Sequence, residues 1–399
     1  MRGTNITALT EKYRKAVASP FPDLLTRAFA KRANLRYGEN PNQSAGIYDM
    51  TNSNIPRAVD IRLVKNAKEG WSATNFMDVV RGMYVVGFFP MPAATVLQED
   101  EQHPGAAAVM KHCIPSGLAR QHNGNSLDDI YCKARDVDKR SAYGGVVVLN
   151  RPLDVVTAEA IHSSFVEVVA APGYEEGTVG KFDDKKELRL VEFSHLERIP
   201  RFVGDDTDGL LDFKMLPTGN VIIQEPYLCR IRGPQDLICD PMVKKEDRDY
   251  VVARDPTPQE LDDMLTAWYV NLGTRSNGIV IVKDGVTLAV GSGQQERVGA
   301  VEQAIVKAYQ KAMDREGIKY NPLFGMMGSH HLSHNPLEGA VMSSDAYYPF
   351  KDSIERAASV GISATIQPGG SKQDYAVIEA VNRHHMAMAF TLERCFGHF

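Results

Sequence analysis

Short, wholly apolar runs alternating with amphipathic segments of helical length narrow most sharply what this chain can fold into. In the first half, AAAVM (106–110), GGVVVLN (144–150) and FVEVVAAP (165–172) are bounded by turn residues and read as buried strands, while PLDVVTAEAIHSSF (152–165) carries helical spacing. The rhythm returns in the second half. GIVIVKDGVTLAVGSG (278–293) predicts a hairpin turning at Asp284-Gly285, and RVGAVEQAIVKAYQKAMDREG predicts a helix stopped at Gly317. DSIERAASVG and YAVIEAVNRHHM then predict helices around the strand ISATIQ. This is a mixed α/β pattern with helix-covered sheets. Two halves of like make-up suggest a duplicated unit, residues 1–200 and 201–399, divided near a stretch rich in turn residues and acids.

Composition removes several functional classes. The chain has 399 residues, 43% hydrophobic and 24% charged, with a formal net charge of −5, as in an average folded soluble protein. Without a long basic run, a nucleic-acid backbone is not an expected partner. The five cysteines form no CxxC pair, which fits free thiols in a reducing compartment and not a structural zinc site. The N-terminus has no apolar signal region, and the apolar stretch from Met83 is interrupted by Pro90 and Pro92, so a cytoplasmic protein without membrane segments is expected.

The chemistry-bearing residues stand where strand signals end. In VMKHCIPSG (109–117) an apolar run stops at Lys111-His112. Neighbours on a continuing strand face opposite sides, so both can enter one site only if the strand ends and turns there. A solvated lysine and a hydrogen-bonded histidine would fit the same letters. Cys113 beside His112 offers a nucleophile with a base, although such partners usually meet through the fold. LRYGENPNQ places Arg36 and Tyr37 in a shaped loop suited to a phosphate or planar ring, and the glycine pair at Gly144 permits close backbone approach. Asn277 offers an amide to a developing oxyanion. GSGQQERVG, with Gln295 and Arg297, is a glycine-rich turn into a helix able to meet an anion. SSDAYYPFKD sets aromatic residues beside Asp352, a wall suited to a flat heterocycle. His330 and His334 would share a helix face as metal ligands, but the glutamate of HExxH is absent, as are the zinc-deaminase signatures.

In their order, RYGENPNQ, KHCIPSG, RSAYGGVVVLNRPL, VVAAPGYEE, RSNGIVIV, GSGQQERV, SSDAYYPFKD, IQPGGSKQD and RCFGHF make a chain that resembles the phosphoribosylaminoimidazolecarboxamide (AICAR) formyltransferase family from about residue 31 to the end. The resemblance implies two cytidine-deaminase-like three-layer α/β/α subdomains without the deaminase zinc. It implies homodimers with interfacial sites, and formyl transfer from 10-formyltetrahydrofolate to the 5-amino group of AICAR in purine biosynthesis. Position by position, Lys111, His112 and Asn277 fall on catalytic positions, and Arg36, Tyr37, Asn75, Gly144, Glu167 and Arg394 on nucleotide-contacting ones. Tyr347, Pro349, Phe350 and Asp352, with Gln295 and Arg297, fall on the folate side. Thr274 and Asp345 lie where some members hold a monovalent cation such as K+. Asn42, Ile114 and Ser116 depart from the usual His, Asn and Cys, and the changes at Asn42 and Ile114 keep open a nucleotide-binding relative with a regulatory role. Because the chain begins about 30 residues before RYGENP, ring closure is expected to need a separate IMP cyclohydrolase.

Overall fold

The computed structural model describes residues 3–398 except 8, 11–14, 16–20, 56–58, 68–69 and 90–104. Pro90, Pro92, most of the N-terminal stretch and Phe399 lie outside the described residues. Eleven strands build the main sheet. Those of the first half are β1 (Ile61–Lys65), β2 (Ala106–Lys111), β3 (Ile114–Arg120), β4 (Gly145–Leu149), β5 (Val166–Ala171) and β6 (Arg189–Phe193). The second half supplies β7 (Ile279–Lys283), β8 (Val286–Gly291), β9 (Val341–Ser344), β10 (Ala364–Gln367) and β11 (Ala387–Phe390). Their spatial order is β11-β10-β9-β7-β8-β3-β2-β4-β5-β6-β1. Outward from the central β3/β8 pair, each half has a hairpin, one further antiparallel neighbour, and then two parallel strands, and the first half adds β1 antiparallel at its edge.

Helices cover both faces. The longer ones among the described residues are α1 (Ala73–Val86), α2 (Leu127–Val137), α3 (Val155–His162), α4 (Pro258–Leu272), α5 (Arg297–Arg315), α6 (Asp352–Ser359) and α7 (Asp374–Arg383). The period-two alternation of β2 decides which core each residue joins. Ala106, Ala108 and Met110 enter one core with Val79 and Met83 of α1, and Ala107 and Val109 enter another with Ile130 of α2. Gly117 on β3 and Gly291 on β8 let α2 and α5 approach closely, since a Cβ at either position would collide with the carbonyl oxygen of Ala134 or Ala300.

The expectation of two discrete cytidine-deaminase-like α/β/α subdomains is corrected by this sheet, which runs unbroken through both halves. β3 and β8 pair antiparallel with Ala119 opposite Val286, and the Arg120 N–H donates to the Gly285 carbonyl at 3.1 Å. Thr287 Oγ1 accepts from the Leu118 N–H at 2.8 Å and donates to the Leu118 carbonyl at 3.1 Å. One apolar core then spans both halves on one face, joining Met83, Met110 and Val148 to Met264, Trp268, Val280 and Ile366. Only the opposite face divides, into a cluster under α2 and α3 and another under α5 to α7. A half taken alone would expose its share of the common core to water.

Helix α4 shows how local sequence sets an element boundary. Thr257 accepts from the Glu260 N–H at 3.2 Å and Glu260 accepts from the Thr257 N–H at 2.8 Å, a reciprocal cap with Pro258 in the first turn. Glu260 also accepts from Arg254 at 2.8 Å and Ser363 at 2.7 Å. Burial alone would push its carboxyl up, but these donors together hold it at about 2. A depressed carboxyl contributes stability that is full above the ordinary glutamate value and is lost as pH falls through the folded value. Glu260→Gln is therefore expected to be less stable than the parent at neutral pH, with the gap closing as pH falls toward 2. Urea unfolding across that range measures it.

Candidate active site

VMKHCIPSG forms the tip of the β2/β3 hairpin. Lys111 pairs with Ile114, leaving His112 and Cys113 as a two-residue turn with φ of 54° and 65°. Left-handed values match the twist of such hairpins but are costly for residues with side chains. An anchor offsets that cost: the Cys113 N–H donates to Asp78 Oδ1 at 2.6 Å. Asp78 sits on α1 and is only 3% exposed. Burial raises its carboxyl above the usual range, against the pull of the Cys113 amide and the charges of His112 and Lys111. The His112 side chain is exposed.

Burial, followed by the nearby Asp78 charge, pushes the Cys113 thiol up to about 11. Near neutral pH this leaves roughly a hundredfold less thiolate than an ordinary cysteine carries. Cys113 is thus poorly suited as a nucleophile. Alkylation by iodoacetamide, followed by mass spectrometry of the peptide holding Cys113, is expected to be correspondingly slow; labelling at the rate of a free thiol would contradict this.

Around the turn, residues of α1, β2, β5 and two loops converge. Lys111 Nζ donates to the carbonyls of Tyr143 at 3.1 Å and Gly144 at 2.8 Å. Gly144 has φ of +66°, and a Cβ there would meet Lys111 Nζ at 3.4 Å and Glu167 Oε1 at 3.7 Å. Asn75 Nδ2 donates to Glu167 Oε2 at 3.1 Å. The Arg36 guanidinium lies 4.5 Å from the Tyr37 ring centre and donates to its hydroxyl at 2.6 Å. That loop is fastened to the start of α1, because Arg36 N–H donates to Trp71 O at 2.8 Å and Ala73 N–H to Tyr37 O at 3.1 Å. A cavity of about 250 Å³ opens beside the turn, lined by Lys111, His112, Ile114, Ser116, Asp138, Lys307 and Lys311.

Two members of this group were missed by sequence reasoning. Arg189 begins β6, donates Nε to the Gly70 carbonyl at 2.7 Å, and has its guanidinium pKa lowered by burial and by the Arg36 charge, with Glu167 and Tyr37 opposing. Its strand LRLVEF gives no sign of a site. Asp78 did leave a trace, as a carboxylate with Asn75 on the buried stripe of α1 that also holds Val79, Gly82 and Met83.

A second cluster is knit from the other half. Arg297 donates to Asn277 Oδ1 at 2.6 Å and to the Gly278 carbonyl at 3.2 Å, and forms a buried ion pair with Asp345 at 2.5 Å. Asn277 Nδ2 donates to the Gln294 carbonyl at 2.7 Å, while the Gln295 side chain is exposed. Exposed Arg394 stacks on Phe396 at 4.3 Å, and the Cys395 N–H donates to the Asp345 carbonyl at 3.0 Å. Phe350 and Asp352 line a cavity of about 740 Å³ with Glu296, Val298, Lys351 and Arg356. Tyr347 and Pro349 are half-buried, but Tyr348 between them turns into the core, where its hydroxyl bonds Thr365 at 2.7 Å.

Of the two residues of the cation expectation, Asp345 is buried and Thr274 lies just beyond α4. Asp345 already accepts from Ser276 Oγ at 2.5 Å and Gly278 N–H at 2.9 Å besides pairing with Arg297, and Thr274 Oγ1 donates to Val270 O at 3.0 Å. Both Asp345 hydrogen bonds fall on Oδ2, and Oδ1 faces Arg297. His330 and His331 occupy a short 3₁₀ turn, Ser329–His331, rather than a helix shared with His334. Among the described residues no group of three or more His, Cys, Asp or Glu side chains is placed to hold a metal ion.

Strand register relates the two clusters. Lys111, Ile114, Gly145 and Val166 in one half, and Ile279, Gly291, Ser344 and Gln367 in the other, all mark the same end of the sheet. The Asp284-Gly285 turn lies at the opposite end, beside Arg120.

A family model described as AICARFT/IMPCHase bienzyme matches residues 4–307. The chain belongs to the AICARFT/IMPCHase bienzyme family. Similar relatives include the bifunctional purine biosynthesis protein PurH of Magnetococcus marinus, 36% identical over 95% of this chain and 62% of the relative. The PurH proteins of Chlorobaculum parvum and Caldicellulosiruptor saccharolyticus are 32% and 34% identical, over 98% and 95% of this chain and 66% and 61% of their own lengths. This member of the AICARFT/IMPCHase bienzyme family therefore spans a little under two thirds of the relatives it matches. Among the described residues no helix is long and apolar enough to cross a membrane.

Proposed function

We propose that this chain transfers the formyl group of 10-formyltetrahydrofolate to the 5-amino group of AICAR, giving formyl-AICAR and tetrahydrofolate in cytoplasmic purine biosynthesis. The observation that carries the reading is the Lys111-His112 turn, set beside Gly144, Glu167, Asn75 and Arg36 in a member of this family. The AICAR amine is a poor nucleophile because its lone pair is delocalised into the ring and carboxamide. As its nitrogen bonds to the formyl carbon, exposed His112 takes the departing proton. Lys111 has two donors held by carbonyls and directs its third toward the negative charge that develops, favouring protonation of folate N10 as the old N–C bond breaks. Asn277 donates to the developing oxyanion.

Arg36 and Tyr37 suit the nucleotide phosphate, with Arg394 contributing from the other cluster. Tyr347, Pro349, Phe350 and Asp352, near Gln295 and Arg297, would receive the folate. The two clusters belong to halves 1–200 and 201–399, and the site would be completed between two copies of the chain, as the resemblance to the family implies. No step is assigned to a cation.

Purified protein supplied with AICAR and 10-formyltetrahydrofolate should release tetrahydrofolate, followed by absorbance. Absence of turnover would sink the transferase reading. AICAR binding without turnover would instead favour the nucleotide-binding relative.

A further inference from the structure

The fold contains an internal comparison for Asp78. It is the sixth residue of α1, and Asp263 is the sixth residue of α4. Each helix packs on the hairpin that follows it, and each aspartate caps that hairpin's two-residue turn. Asp263 accepts from the Asp284 and Gly285 N–H groups at 3.0 and 2.8 Å, and the φ values there, 52° and 73°, match those of His112 and Cys113. Capping a left-handed turn is therefore an architectural duty that both carboxylates perform.

Asp78 differs in what surrounds it. From the hairpin it faces Lys111, His112 and Cys113; Arg81 on its own helix and Glu39 on the Tyr37 loop act on Cys113 beside it. A carboxylate that is 3% exposed is costly to keep ionised unless cations stand close.

We propose that Asp78 is a positioning residue for the transfer reaction: its carboxylate fixes the turn that presents His112 and stabilises the positive charge created when His112 accepts the substrate proton. The inference rests on the formyl-transfer reading. Its geometric part, however, can be tested without catalysis.

Four variants separate the roles. Asp78→Asn keeps an oxygen acceptor for the Cys113 N–H but removes the charge, and Asp78→Ala removes both. Asp263→Asn and Asp263→Ala make the same changes at the architectural turn. Asp78→Ala is expected to lower kcat by about a hundredfold, the loss associated with misplacing a reacting group by about an ångström, with KM for AICAR little changed. In Asp78→Asn, the acidic limb of the kcat/KM profile is expected to move to lower pH, whereas Asp263→Asn leaves it in place. Coincident profiles for parent and Asp78→Asn would overturn the electrostatic role. Hydrogen exchange of the peptide spanning 109–117 should quicken in Asp78→Ala and stay near parent in Asp78→Asn. Unchanged exchange in Asp78→Ala would overturn the anchoring role even if the parent proves to have no transferase activity. If Asp78→Ala does not fold, the Asp78→Asn profile and exchange still decide the matter.

Discussion

His112→Ala lowers kcat for formyl transfer by about 10²–10⁴-fold, the usual contribution of a positioned general base. The KM for AICAR should stay close to the parent value. His112 is exposed at the turn tip, while the contacts proposed to hold the nucleotide come from Arg36, Tyr37, Asn75 and Glu167. The turn itself should survive, because its anchor is the Cys113 amide on Asp78 and not the imidazole. Steady-state rates with both substrates saturating test this. Equal rates in variant and parent would remove the base assignment while leaving the activity standing.

Asp345→Ala destabilises the folded chain by about 3–5 kcal/mol, the cost of leaving one partner of a buried ion pair uncompensated. Arg297 and Asp345 have side-chain exposures of 4% and 0%, so solvent cannot screen the stranded guanidinium. The same substitution strips acceptors from Ser276 Oγ and the Gly278 N–H. Pairing it with Arg297→Leu should recover part of the loss, since the uncompensated cation is then gone. Urea midpoints at one fixed protein concentration measure both. A double variant no more stable than Asp345→Ala would show that the lost Ser276 and Gly278 contacts, not the stranded charge, dominate.

Much of the local structure was legible because it depends on short-range patterns. The Asp284-Gly285 turn and the long helix before Gly317 follow from hairpin chemistry and from 3.6-residue periodicity, and both are present. The joining of the halves was not legible. The β3/β8 pairing depends on two strands more than 160 positions apart, and no local pattern marks which hairpin edge meets which. At the site, polar residues at strand ends stood out, since apolar runs stop there. Asp78 and Arg189 did not, because a buried charge looks like an interruption in a helix or strand until its partners are known. Composition alone does not tell Tyr348 from Tyr347 within the same run, and only burial separates the core residue from the two flanking it.

The two hairpin corners have one last consequence. Lys111-His112-Cys113-Ile114 in the first corresponds to Lys283-Asp284-Gly285-Val286 in the second, so a lysine precedes both turns. Lys283, however, spends a donor on the Glu338 carbonyl, at the end of the sheet away from Asn277 and Gly144. A histidine placed at 284 would reproduce the lettering of the first corner without its surroundings. Address separates them: the same corner is a capped bend at one end of the sheet and, in the proposed reaction, the mount of a proton acceptor at the other.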